Sequence, residues 1–364
     1  MGIITKSFQS ELFEVTYQAE PHHEGMRLDQ FVQVYLPSFS RQQVKNKITC
    51  GDVMIEGRIP PHRPSVKIHE RNRIYLRMNK TVHEDEYWNN QKIKLDINPE
   101  EIYQDNDLLV INKPAFMATH PTGKHLFYAA TVFFEEKYKM KINSLHRLDR
   151  ETSGVLLLGK NARFSSFVTD FFENSEIKKC YFFIGVKQPG TNTENSFSVK
   201  LRLGTLNEGR ERVIVNSYPE KGLEGKSAHT DFFILEKKEK YILGLAFPKT
   251  GRQHQIRVHA KSQGMPLLGD KLYLGGYKIF QRFKDLIPTV EDHNLMEIPR
   301  HALHAMALKI PAIPPLSKEE KIFIGKFPKD LRDWMKMKLN LSEFDCLNIE
   351  HKAFLKIEEV FEAH

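Results

Sequence analysis

Cysteine is scarce in this chain: three residues in 364, Cys50, Cys180 and Cys346, with no CxxC pair among them. An odd, scattered set supports neither a disulfide framework nor a zinc ribbon, and it suits thiols kept reduced. No apolar run approaches the ~20 residues of a membrane span. The first twenty residues lack the charged start, apolar middle and small-residue cleavage site of a secretory signal. Gly2 is followed by Lys6 where a myristoylation signal places Ser or Thr. The glycines at 222, 225, 275 and 276 form neither a Walker loop nor a GxGxxG turn. No internal repeat and no long low-complexity segment occurs. Together these absences predict a cytoplasmic monomer with no membrane association, no small-molecule cofactor and no metal.

What is present is a core and a concentrated positive charge. Hydrophobic residues make up 40% and charged residues 27%, a globular composition long enough for two domains. Net charge is +8. Residues 41–80 alone hold ten Lys or Arg against three Asp or Glu, so one short stretch carries an excess close to that of the whole chain. Charge gathered in this way fits a polyanion partner, and equally a solvated basic surface.

The hydropathy pattern divides the chain into a small basic module over 15–80, a polar linker over 81–100, a main domain over 101–340 and a tail over 341–364. In the module, Leu28, Phe31, Val32 and Tyr35 share a helical face that Pro37 should end. Ser40 is a suitable N-cap for a second helix, Arg41 to Thr49, closed by Gly51. Short strands are expected at Val53 to Ile55 and Arg73 to Arg77. Arg27, Arg41, Lys45, Lys47 and Arg58 are candidates to meet RNA phosphates. In the main domain, strands are expected at Asp107 to Asn112, Gly154 to Leu158 and Cys180 to Val186. Thr230 to Leu235 and Tyr241 to Phe247 read as a hairpin, and Thr131 to Tyr138 and Ala162 to Phe172 as helices. Strands outnumber helices and hairpins recur, so the class is α+β with a mixed, largely antiparallel sheet. The tail reads as a possible amphipathic helix without chemistry.

The run His146-Arg147-Leu148-Asp149-Arg150-Glu151-Thr152-Ser153-Gly154 places a carboxylate in a polar turn just ahead of an apolar strand. Flanking arginines would keep Asp149 ionised, as a nucleophile requires. The residues alone favour a structural salt bridge or a helix cap. His254, His259, His301 and His304 raise the question of a metal; strand spacing would put His301 and His304 on opposite faces, which argues against one.

HRLD-x-x-TSG resembles the signature of the RluA-type pseudouridine synthases, and every motif position is matched. Four further segments are similar to that family: Leu108 to Pro114, Lys179-Cys180-Tyr181, Thr250 to His259 with Gly264 to Asp270 and Tyr273, and Leu303-His304-Ala305. The likeness covers about 100–335. The order RLD, SR, GDVMIEG in the first eighty residues resembles a small RNA-binding module shared by a ribosomal protein, some tRNA synthetases and several RNA-modifying enzymes, except that Glu70-Arg71-Asn72 stands where such modules usually carry Gly-Asp. The resemblance implies an isomerase that converts uridine to pseudouridine in structured RNA without a cofactor. It implies Asp149 as nucleophile, Tyr181 stacked on the base, and Arg257 paired with Asp149. Ile256 and Leu303 would wall the base pocket, Arg147 would fill the gap left by a flipped uridine, and His146 would orient or pack. Large-subunit 23S ribosomal RNA is the expected substrate. The segment Ala118 to Lys124 is similar to one in relatives that modify the anticodon stem-loop of tRNA, which keeps tRNA as an alternative. A non-catalytic ribosome-assembly factor is the alternative of another class, and a glycoside hydrolase is disfavoured because only one carboxylate is placed.

Overall fold

The computed structural model describes residues 3–8, 12–36, 39–79, 85–96, 98–121, 125, 127–192, 194–205, 210–312 and 319–362. They form two compact units, one made of 1–86 with 118–142, the other of 87–117 with 143–364.

The smaller unit contains β1 (Ile3–Phe8), β2 (Leu12–Gln18), α1 (Leu28–Tyr35), α2 (Arg41–Thr49), β3 (Val53–Ile55), β4 (Arg73–Asn79) and α3 (Ala130–Tyr138). Its four strands form an antiparallel sheet in the order β1-β2-β4-β3. Leu28, Phe31 and Val32 are buried along α1, as their spacing predicts, and Tyr35 stacks on Tyr17 with centroids 4.0 Å apart. Pro37, expected to end that helix, lies outside the described residues. Ser40 caps α2: its hydroxyl accepts from the Gln43 N–H at 3.2 Å, and the Gln43 side chain returns to the Ser40 N–H at 2.7 Å. Val44 and Ile48 bury the inner face of α2, which leaves Arg41 and Lys45 exposed. The turn at Glu70–Asn72 forms with Arg71 in the left-handed region, φ 67°, a conformation glycine would adopt without strain. Its N–H is held by the Ala19 carbonyl at 2.8 Å.

The larger unit contains β5 (Tyr87–Trp88), β6 (Gln91–Lys92), β7 (Glu100–Gln104), β8 (Leu108–Lys113), β9 (Asn143–Ser144), β10 (Ser153–Gly159), α4 (Ala162–Glu173), β11 (Lys178–Val186), β12 (Ser196–Thr205) and β13 (Val215–Tyr218). It continues through β14 (Lys226–Lys237), β15 (Tyr241–Pro248), α5 (Gln255–Ser262), α6 (Tyr277–Lys284), α7 (Val290–Met296), β16 (Leu303–Ile310), β17 (Lys321–Ile324), α8 (Lys329–Leu339) and α9 (Glu343–Glu362). Its main sheet has eleven strands with the path β13-β12-β14-β15-β11-β16-β10-β8-β7, and only β10 and β16 pair in parallel among the described strands. This is the mixed, largely antiparallel α+β class that the strand-rich pattern predicts. The central strands are nearly continuous apolar runs because both sheet faces are covered. Along β11, Cys180, Phe182 and Ile184 join the core under α8 and α9, while Tyr181 and Phe183 turn to the opposite face and pack with Ile256 and Ala260 of α5. The period-two alternation of one strand thus separates a structural face from the face that carries the site.

Three stretches differ from the expected division. Residues 118–142 group with the smaller unit, with Ala118, Ala129 and Val132 in its core. The supposed linker carries the β5–β6 hairpin, and Trp88 stacks on Phe283 at 5.9 Å. The tail is α9, which buries Cys346, Ile349, Ala353, Ile357 and Phe361 in the core of the larger unit.

Candidate active site

The larger unit carries a cleft of about 400 Å³ lined by residues of the 145–152 loop, α4, β11, the turn after β15, α5 and Leu303. Asp149 lies in the loop between β9 and β10, where its carbonyl accepts from the Thr152 N–H at 3.0 Å. The loop is pinned by the residues around it. His146 Nε2 accepts from the Leu157 N–H at 3.1 Å, and its ring stacks on Phe172 at 4.6 Å. Thr152 Oγ1 bonds His301 Nε2 at 2.7 Å, and Ser153 Oγ bonds His304 Nδ1 at 2.9 Å. A Cβ on Gly154, φ +113°, would collide with the Ala305 carbonyl, so glycine is what lets β10 approach β16.

Asp149 faces α5. Arg257 donates through Nη1 to Asp149 Oδ2 at 3.0 Å, and through Nε and Nη2 to the two Asp270 oxygens at 2.7 and 2.9 Å. Asp270 is fully buried and also accepts from the Leu272 and Tyr273 N–H groups, both at 3.0 Å. One guanidinium is therefore fixed bidentately on one carboxylate while it presents a third donor to the other. Tyr273 backs it, with its ring 5.0 Å from the guanidinium carbon and its hydroxyl 2.9 Å from His254 Nδ1. His254 Nε2 is 3.9 Å from Asp149 Oδ2.

The charges follow from these contacts. Burial alone would raise the Asp149 carboxyl, but His254, Arg257 and His301 outweigh it and hold it well below the usual carboxylate range. His254 is itself pushed down to about 4, by burial first and by Arg257 next, so it is neutral near pH 7. The fixed cation beside Asp149 at that pH is Arg257. Burial opposes the charge on Arg257, yet Asp270 and Asp149 raise it. Burial, and then the Asp149 charge, raise the Tyr181 hydroxyl, which stays protonated.

The cleft brings together His146, Arg147, Asp149, Tyr181, Ile256, Arg257 and Leu303. Ile256 and Leu303 are buried, and Arg147 is exposed at the rim. The candidates for RNA contact lie in the other unit: Arg41, Lys45 and Arg58 are exposed, Arg27 is paired with Asp29 at 2.7 Å, and Lys47 with Asp52 at 3.3 Å. The four histidines weighed as metal ligands bond hydroxyls, His259 Nδ1 reaching Thr230 Oγ1 at 2.9 Å. Among the described residues, Glu20, His22 and His23 do place ligand atoms within 4.8 Å of one another, but His23 Nδ1 already accepts the Glu20 N–H. Sequence reasoning missed Asp270 and His254 as neighbours of Asp149. Their nearness to Gln-Ile-Arg in the chain was the available signal.

The family described as RNA pseudouridylate synthase matches residues 107–262. An uncharacterized RNA pseudouridine synthase of Aquifex aeolicus is 30% identical over 304 residues, 79% of this chain and 87% of that protein. The ribosomal large subunit pseudouridine synthase D of Blochmanniella floridana is 29% identical over 85% of this chain and 94% of its own length. In fold, the larger part of the chain is similar to human RNA Pseudouridylate Synthase Domain Containing 4, with TM-score 0.50, 24% identity, and coverage of 65% of this chain and 91% of that one. With its HRLD-x-x-TSG loop folded against α5 and these relatives covered nearly end to end, the chain belongs to the RluA-type RNA pseudouridine synthases, isomerases that act on RNA.

Proposed function

We propose that this enzyme isomerises uridine in 23S large-subunit ribosomal RNA, with Asp149 as the nucleophile. The observation that carries the chemistry is the Asp149–Arg257–Asp270 chain, which keeps one carboxylate ionised and aimed inside a base-sized cleft. Asp149 attacks the ribose or the base, and the bond between ribose and ring nitrogen breaks. The base turns, its carbon 5 bonds the ribose, and the bond to Asp149 breaks, which returns the free carboxylate. Carbon 5 gives up its proton and the freed ring nitrogen gains one, so atoms balance with no added reactant. Tyr181 stacks on the base as a neutral phenol able to relay that proton. Ile256 and Leu303 wall the ring, Arg147 stacks in the vacated helix position, and His146 holds the loop. Arg27, Arg41, Lys45, Lys47 and Arg58 of the smaller unit supply phosphate contacts. The enzyme works as a cytoplasmic monomer.

Support for ribosomal RNA comes from relatives named as large-subunit enzymes, including that of Yersinia pestis, 28% identical over 79% of this chain. The segment that favours tRNA is only partly visible, since residues 122–124 lie outside the described residues. The test is tritium release from RNA labelled at uridine carbon 5, with pseudouridine mapped in cells with and without the gene. A site lost from 23S RNA on deletion supports the proposal. Loss from tRNA alone overturns the substrate, and free uracil as product overturns the chemistry.

A further inference from the structure

Lys179 does nothing in the scheme above, yet it is buried, 7% exposed, on the wall of the cleft. Among the described residues no carboxylate or carbonyl accepts from its amino group, which lies 5.9 Å from the centre of the Phe172 ring. The groups around it offer no counter-charge. Asp149 is committed to Arg257. His146 accepts the Leu157 N–H and is neutral. Glu173 on the same wall is exposed and makes no ion pair with it. The charge that acts on it is another cation, Arg252, anchored through Nε to the Ser227 carbonyl at 3.0 Å, and among the described residues neither of its terminal nitrogens makes a hydrogen bond. Gly251, next to Arg252 in the chain, lines the same cleft, and a Cβ on it would stand 3.8 Å from Lys179 Nζ. Two cations flanking an open spot, one of them desolvated, destabilise the empty cleft until an anion with several acceptor oxygens enters.

We propose that Lys179 and Arg252 together seat a backbone phosphate of the RNA next to the uridine stacked on Tyr181. This rests on the RNA isomerase function proposed for the cleft. Lys179 and Tyr181 are two residues apart on β11, ~7 Å along a strand, comparable to the reach from a nucleotide's base to its own phosphate. Arg252 also lines a second groove, with Tyr218 and Lys226, across the Gly251–Gln253 turn. The phosphate seat therefore marks where the strand leaves the cleft. Because the contact is made equally before and during reaction, it acts on binding and not on the chemical step.

The test compares the wild type with Lys179→Met, Lys179→Arg and Arg252→Met on unmodified large-subunit ribosomal RNA made by transcription. KM, kcat and direct RNA affinity are measured over a series of KCl concentrations. The Met variants should raise KM about tenfold at near-normal kcat, and each should flatten the dependence of log affinity on log salt by about one unit. Lys179→Arg should restore both. Unchanged affinity and salt dependence in both Met variants overturns the proposal, as does a fall confined to kcat, which would place Lys179 at the reacting base. A wild type that binds RNA but releases no tritium refutes the isomerase function, while the salt dependence still judges the phosphate seat.

Discussion

At the scale of single residues, Asp149 and Asp270 touch the same guanidinium but should fail differently. Asp149→Asn removes the attacking oxygen's charge while Asp270 still neutralises Arg257, so the fold should persist. Tritium release should fall by about 10⁴-fold or more, with a thermal midpoint near that of the wild type. Asp270→Asn instead leaves a buried guanidinium with Asp149 alone. The expected cost is about 3 kcal/mol in denaturant unfolding, with activity lost through misplacement of Arg257. Equal stability of the two variants would contradict this division of roles. The asymmetry was half legible in the sequence. Asp149 announces itself through a dense local motif, HRLD-x-x-TSG. Asp270 does not, because its partner lies 13 residues away and only the turn of α5 back toward the 267–273 segment joins them. The Asp149–Arg257 contact spans 108 residues, and no periodicity encodes a pairing at that range.

At the scale of elements, the local signals were the readable ones. The cap at Ser40, the 3.6-residue face of α1 and the alternating strands each rest on neighbours in the chain, and each formed where predicted. What covers a face is a long-range matter. The amphipathic pattern of α9 could not reveal that it roofs the even-numbered side of β11, nor could the polar composition of 81–100 reveal that Trp88 finds Phe283. Two element-level predictions follow from close approaches. Gly269, φ +73°, lies so near the Arg300 carbonyl that a Cβ would collide with it. Gly269→Ala should therefore displace the turn that presents Asp270, lowering tritium release more than thermal stability would explain. Ending the chain before α9 removes the buried Ile349, Ala353, Ile357 and Phe361 and uncovers the core they pack against, Phe182 and Phe247 included. Four such side chains together represent several kcal/mol of burial. The shortened protein should lose cooperative unfolding and bind a hydrophobic dye, whereas a sharp, unshifted melt would show α9 to be dispensable.

At the scale of the whole molecule, burial of neutral histidines sets a pH limit. Desolvation lowers His146 and His304 to about 3, with Lys179 and Arg300 respectively as the next cause. It lowers His254 and His259 to about 4. In the unfolded chain each would titrate near its ordinary value of 6.5. Between about pH 6.5 and 4 the unfolded state therefore binds more protons than the native state, so stability is complete above the unfolded value and falls as pH drops. Each histidine adds a slope approaching about 1.4 kcal/mol per pH unit inside that window. The carboxylates of Asp149, part-buried, and Asp270, buried, are held below their ordinary values, so their own losses begin only under about pH 4. The interval from pH 6.5 to 5 thus isolates the histidines. Urea midpoints measured at steps across it should fall steadily. A flat profile down to pH 5 would mean that these rings accept protons in place, and that the hydrogen bonds they share with Leu157, Ser153, Tyr273 and Thr230 do not require the neutral form.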